Sequence, residues 1–117
     1  MTTTEQITNV ATALGWSVET DASRPGFTEF VFRQYTPAGQ DFGFSVEMRN
    51  GDPDSLLQEL EKYYEAYDPD YEAYLWIGTD GHGKNGAPYH IKDIVSDMEA
   101  AEAMIDTLYE TLKTALK

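Results

Sequence analysis

The run Asp41-Phe42-Gly43-Phe44-Ser45-Val46-Glu47-Met48 constrains the fold of this chain more than any other stretch. Apolar side chains occupy every second position, and the positions between are charged or small. A period of two puts Phe42, Phe44, Val46 and Met48 on one face of a strand and leaves the other face to water. A strand wet on one side and buried on the other reads as part of an antiparallel sheet. The preceding run "FTEFVFRQY" alternates less cleanly, because Phe27, Val31 and Tyr35 add an apolar side opposite Phe30 and Phe32. Between the two, Pro37 presets a turn and Gly39 supplies a positive φ. "WSVE", with Trp16 and Val18 on one side, reads as a short first strand. The three runs predict an antiparallel meander.

Helical spacing surrounds this sheet. Ile7, Val10, Ala11 and Leu14 predict a helix over 3–14, opened by a capping box of Thr2 with Glu5 or Thr3 with Gln6 and stopped by Gly15. Asp52-Pro53-Asp54 opens a second helix: Asp52 caps, Pro53 takes the first helical position, and Asp54 meets the positive end of the dipole. Leu56, Leu60, Tyr63 and Tyr67 form its stripe, widened by Leu57 and Tyr64. The same device at Asp68-Pro69-Asp70 opens a shorter helix through "YEAYLWI" to Gly78, with a strand as the competing reading. From Ile91 onward, Ile94, Val95, Met98, Ala101, Ile105, Leu108, Leu112 and Ala115 predict a long amphipathic helix, and Lys113 and Lys117 suit its negative end. The order predicts a single α+β domain over 1–117: an N-terminal helix, a three-stranded antiparallel meander, then two or three helices on one face of the sheet.

Charge limits the partners. The sequence holds 21 acids against 8 Lys and Arg, a net charge of -13. Residues 1–46 carry five acids and two bases, and residues 47–117 carry sixteen and six. Such a field repels nucleic acid and anionic membranes and attracts basic protein surfaces. No basic, apolar leader opens the sequence, no apolar run reaches membrane-spanning length, and cysteine is absent. A soluble cytoplasmic protein is the expectation, with the oligomeric state left open.

The acids form patterns. Glu99, Glu102, Asp106 and Glu110 fall on one ridge of the last helix, and Asp93 and Asp97 are expected to continue it upstream. Glu102–Asp106 and Asp106–Glu110 are like-charged pairs four residues apart, each costing roughly 0.2–0.5 kcal/mol. Glu61 and Glu65, with Glu59, add carboxylates on the helix that starts after Asp52. Ridge neighbours lie about 5–6 Å apart, a scale broadly similar to the phosphate spacing of one DNA strand. An unrelieved ridge of this kind presents a duplex-like field to a basic groove. Six aromatics between Tyr63 and Trp76 supply the core, and two or three of them are expected at the surface.

"GTDGHGKNGAPYH", residues 78–90, is the other candidate site. Gly78 to Lys84 fits the spacing of a phosphate-binding loop. Asn85 stands where Ser or Thr is needed, Gly86 and Pro88 delay the helix, and Asp80 opposes a phosphate. Asp80, His82 and His90 supply three metal-ligand types in one loop, at a spacing that matches no zinc pattern. The favoured reading is a glycine-rich turn, with Asp80, His82, Lys84 and His90 as candidates for a contact or ligand surface. No cofactor or resident metal is expected.

From "DFGFSVEM" onward the chain resembles a group of small acidic proteins of gut bacteria and their mobile elements. The likeness rests on that strand, "YYEAYDPDYEAYLWI", "GHGKNGAPY" and "KDIVSDMEAAEAMIDTLYETL", over residues 41–112. The group has no assigned activity, so it supplies no catalytic residue. Its mobile-element setting implies a host-defence antagonist, some of which mimic DNA. The expectation is a non-catalytic module that binds a basic partner, with a DNA mimic as its sharper form. The alternative is a small metal- or ligand-binding protein, or enzyme, built on the loop.

Overall fold

A computed structural model describes residues 1–116. Helix α1 spans Thr3–Ala13. Its cap is the box formed by Thr2 and Glu5: Thr2 Oγ1 accepts from Glu5 N at 3.1 Å, and Thr2 N donates to Glu5 Oε1 at 3.5 Å. Ile7 and Ala11 face inward. Gly15, with φ +96°, turns the chain beneath Gln34, where an added Cβ would lie 2.5 Å from Nε2. Trp16 then buries its ring against Phe32, Phe42 and Phe44.

Strands β1 (Ser17–Asp21), β2 (Phe27–Tyr35) and β3 (Asp41–Arg49) pair antiparallel in the order β1-β2-β3. The register sets Val18 opposite Phe32, Phe32 opposite Phe44, and Phe30 opposite Val46, so the period-two residues share one buried face. The other face is wet and carries Asp21 opposite Glu29 and Glu29 opposite Glu47. Like charges so placed repel. Arg24 relieves them by pairing with Glu47, and its guanidinium covers the Phe27 ring at 4.0 Å. Of the three apolar residues on this face, Phe27 and Val31 are half-buried and Tyr35 is exposed.

Helix α2 (Pro53–Ala66) lays Leu56, Leu57 and Leu60 on the sheet and stacks Tyr63 on Phe44 at 4.5 Å. Both Asp-Pro-Asp caps form as read: Asp52 Oδ1 accepts from Asp54 N and Asp68 Oδ1 from Asp70 N, each at 3.0 Å. Helix α3 (Pro69–Tyr74) ends four residues before Gly78. Ile77 leaves it to form an isolated bridge with Gly83, and Lys84 N bonds to Trp76 O at 2.9 Å. The segment is thus helical at its start and strand-like at its end.

Helix α4 (Ile91–Ala115) spans two cores. Its first half joins Ile94 and Met98 to Ala73, with Trp76 and Ala87 alongside. Its second half places Ala101, Ile105, Leu108 and Leu112 among α1, α2 and the sheet. Ile91 and Ala115, read as ends of the stripe, are exposed, and Lys117 lies outside the described residues.

Asp97 corrects the sequence reading. It is 5% exposed and faces the β2–β3 hairpin, away from the acid ridge. Its carboxylate accepts from Thr36 Oγ1 at 2.5 Å and from Ala38 N at 3.0 Å. It precedes buried Ala101 by one turn and so shares the core-facing side. Asp93, one turn earlier and exposed, lies on that same side of the axis rather than on the ridge.

Asp97→Ala strands the Thr36 hydroxyl and the Ala38 amide and should cost about 2–4 kcal/mol in urea denaturation. Gln40 is 2% exposed, and among the described residues neither of its amide atoms has a partner. Gln40→Met should therefore raise stability by roughly 1 kcal/mol or more in the same measurement.

Candidate functional site

Packing α2 against the second half of α4 brings two sets of carboxylates onto one outward flank. Tyr109 of α4 reaches across and donates its hydroxyl to Glu61 Oε2 at 2.8 Å. Its pKa is raised by that bond, then by burial and by the charges of Glu61, Glu110 and Glu65. Tyr64 of α2 is raised by Asp106 first, then by burial and by Glu102. Tyr109 thus feels Glu61, Glu65 and Glu110, and Tyr64 feels Asp106 and Glu102, so five carboxylates act on the two tyrosines. Glu61, Glu65 and Glu110 are exposed, and Glu102 and Asp106 are half-exposed. Glu99, also exposed, continues the ridge toward the helix start.

Little positive charge relieves this flank. Among the described residues the ion pairs are Arg24–Glu47 and Lys62–Glu59, and neither involves one of the five. Lys113 holds its amine 5.8 Å from the centre of the Tyr109 ring. Sequence spacing revealed the carboxylates but not the tyrosines they act on. Tyr109 follows Asp106 by three residues and so belongs to the same face, a signal available beforehand.

The glycine loop is tightly built. Gly78 N donates to His82 O at 2.7 Å, and Gly83 N donates to Tyr89 O at 3.1 Å. A Cβ on Gly83 would lie 1.9 Å from Pro88 O, so only glycine fits there. Asp80 Oδ1 accepts from His82 N at 3.0 Å, which closes the tip. The His82 ring stacks on Tyr89 at 4.0 Å, and His90 meets the Tyr89 edge at 5.2 Å. Among the described residues no three His, Asp or Glu are grouped to hold a metal ion. Asp80, His82 and His90 serve the turn and its aromatic stack.

Lys84 goes elsewhere. With Asn85 it walls a cleft of about 320 Å³ shared with Phe42, Tyr63, Glu72 and Trp76. Burial, and then Asp68, holds the Glu72 carboxyl above its usual range. Burial, and then the Glu72 charge, pushes the Tyr63 hydroxyl up to about 12. Tyr67, whose hydroxyl donates to Met98 O at 3.0 Å, is raised for the same reasons in the same order. From sequence Tyr63 belongs to the buried stripe and Trp76 to a group of six aromatics of which two or three are expected at the surface, and Glu72 is not singled out. Of the aromatic belt, Tyr71 and Tyr74 are exposed.

Compared with known proteins, the chain matches no family model, no curated protein and no solved structure. The α+β class rests on the architecture itself.

The folded chain holds the Tyr63 proton more tightly than the unfolded chain, whose tyrosines ionise near 10. That contribution to stability is whole below pH 10 and is lost as the pH climbs toward about 12. Ultraviolet titration should show Tyr63 and Tyr67 ionising last, and Tyr63→Phe should flatten the loss of stability above pH 10.

Proposed function

We propose that the protein is a non-catalytic interaction module that captures a basic protein surface on its α2–α4 flank. The observation that supports this reading is the Tyr109–Glu61 bond between the two helices, with five carboxylates acting on Tyr64 and Tyr109 and none of them in an ion pair among the described residues. Attraction by a concentrated negative field speeds encounter with a cationic partner. Tyrosine at the centre of a contact supplies apolar area at low entropic cost. A sharper form is a duplex mimic that fills the groove of a nucleic-acid-binding defence enzyme. The mobile-element setting of the proteins it resembles favours that form by association. Glu102, Asp106 and Glu110 supply the charge, and Glu61 and Glu65 widen it beyond one helix.

Repulsion along the ridge gives the test an internal control. Asp106→Lys turns two repulsive pairs into attractive ones and should stabilise the fold by roughly 0.5–1 kcal/mol. The same change, combined with Glu102→Lys, should weaken capture of a host-lysate partner at least tenfold. Capture should fall steeply with salt. A duplex oligonucleotide should displace the protein if the flank stands in for DNA. A partner that holds the duplex and this protein together ends the mimic form. Capture indifferent to both charge reversal and salt ends the interaction reading.

A further inference from the structure

The unpaired side of β3 runs beside α2. Asn50 N donates to Gly26 O, one step beyond the pairing of Arg49 with Phe27. Antiparallel pairing alternates along a strand, so even residues of β3 bond inward to β2 and odd residues point outward. Arg49 confirms the alternation, since its N–H donates outward to Ser55 Oγ at 2.8 Å. The outward backbone groups of Gly43, Ser45 and Glu47 have no such partner among the described residues. Exposed edges of this kind are usually blunted by Lys, Pro or a bulge. Here the middle of the edge carries only Gly43 and Ser45, both exposed.

Two clefts line this edge, and they meet at Tyr63. The cleft of about 320 Å³ holds Asp41 and Gly43. A second, of about 490 Å³, holds Ser45, Glu47 and Arg49, with Glu59 and Lys62 of α2 opposite. A strand edge facing a helix across a groove is the geometry in which an extended peptide adds a strand. Charge indicates what the peptide carries. In the larger cleft the cations Arg24 and Lys62 are already paired with Glu47 and Glu59. In the smaller one Asp41 and Glu72 form no ion pair among the described residues, and they sit beside Trp76 and Tyr63. Carboxylates beside aromatic rings favour an organic cation, through charge and through the ring faces. Lys84, at the rim of the same cleft, opposes that cation.

We propose that β3 and its flanking clefts accept an extended segment of a protein partner as a fourth strand, with a Lys or Arg side chain held among Trp76, Tyr63, Asp41 and Glu72. The site is separate from the carboxylate flank of α2 and α4. It also gives Lys84 of the glycine loop a role, as a brake on cation binding.

The test titrates the ¹⁵N-labelled full chain with a capped synthetic peptide of about seven residues, alternating threonine and valine around one central lysine. Saturable shifts are expected at the amides of Gly43, Ser45 and Glu47 and at the Trp76 indole, with Trp16 still. Norleucine in place of the lysine, or Glu72→Gln in the protein, should weaken binding about tenfold. Lys84→Met should strengthen it. Methylating alternate peptide amides should abolish binding without touching the protein. Ser45→Pro should do the same, because it removes an outward N–H and no inward bond. Should that variant fail to fold, the methylated peptide decides alone. The Glu102→Lys, Asp106→Lys variant should bind the peptide as the parent chain does, which separates this site from the α2–α4 flank. The proposal is overturned by equal binding of the methylated peptide, by shifts that miss the edge, or by no shift at millimolar peptide. It is also overturned by loss of binding in the flank variant, or by edge shifts that track protein concentration alone, which would put a second copy on β3.

Discussion

The buried stripe of α4 is the constraint on which the rest of the structure depends. From Ile94 to Leu112 it passes from the small core around Ala73 to the main core over the sheet. A helix of 25 residues is about 37 Å long, more than one core of this size needs. Two residues of the helix make buried polar contacts where the cores meet. Asp97 clasps the β2–β3 hairpin, and the Met98 carbonyl accepts the Tyr67 hydroxyl. The first fixes where β3 begins, and the second fixes where α2 ends. Between them they position both walls of the smaller cleft. Loss of either contact would loosen the sheet and the α3–loop unit relative to each other, although neither contributes much apolar area.

Charge is distributed in a way the net value conceals. Arg24, Arg49, Lys62 and Lys84, half of the eight cations in the chain, line the two clefts beside β3. There Arg24 offsets the carboxylates that the pairing of Glu29 with Glu47 brings together, and Lys62 pairs with Glu59. On the α2–α4 flank Lys113 lies over the Tyr109 ring and, among the described residues, forms no ion pair. Relief is therefore concentrated where the sheet needs it to form, and the helices carry the repulsion. Helices tolerate this because each like-charged pair costs only tenths of a kcal/mol, far less than the burial of Ile105 or Leu108 contributes.

Local chemistry was legible in the sequence, and sidedness set by distant partners was not. The Thr2–Glu5 box, both Asp-Pro-Asp caps and the alternation of β3 involve residues within a few positions of each other, and each formed as read. Asp97 failed because its donors lie about sixty residues away, on Thr36 and Ala38. Spacing marks it as an acid among acids. A finer use of the helical period would have separated it, since a residue one turn before Ala101 cannot also face away from the core. The end of α3 failed differently. "YEAYLWI" continues a helical pattern, but Lys84 and His82 offer Trp76 and Gly78 competing backbone partners across the loop, where Ile77 also bridges to Gly83. The smaller cleft was illegible because it gathers a few residues each from distant parts of the chain, β3, α2, α3 and the loop, none unusual in its own neighbourhood.

The glycine loop shows why a matching spacing carries so little information about anions. A phosphate-cradling loop works because its amides converge on the ligand with no partner of their own. Here the corresponding amides are already engaged: Gly78 N on His82 O, Gly81 N on Gly78 O, Gly83 N on Tyr89 O and Lys84 N on Trp76 O. Gly83 is small because the Pro88 carbonyl occupies the space a side chain would need. The Gly-Lys pair thus has an internal cause, the close crossing of two loop strands. That crossing places Lys84 on the wall of the cleft that Glu72 and Trp76 also line, and any ligand chemistry in this region follows from side chains in the cleft and not from backbone amides.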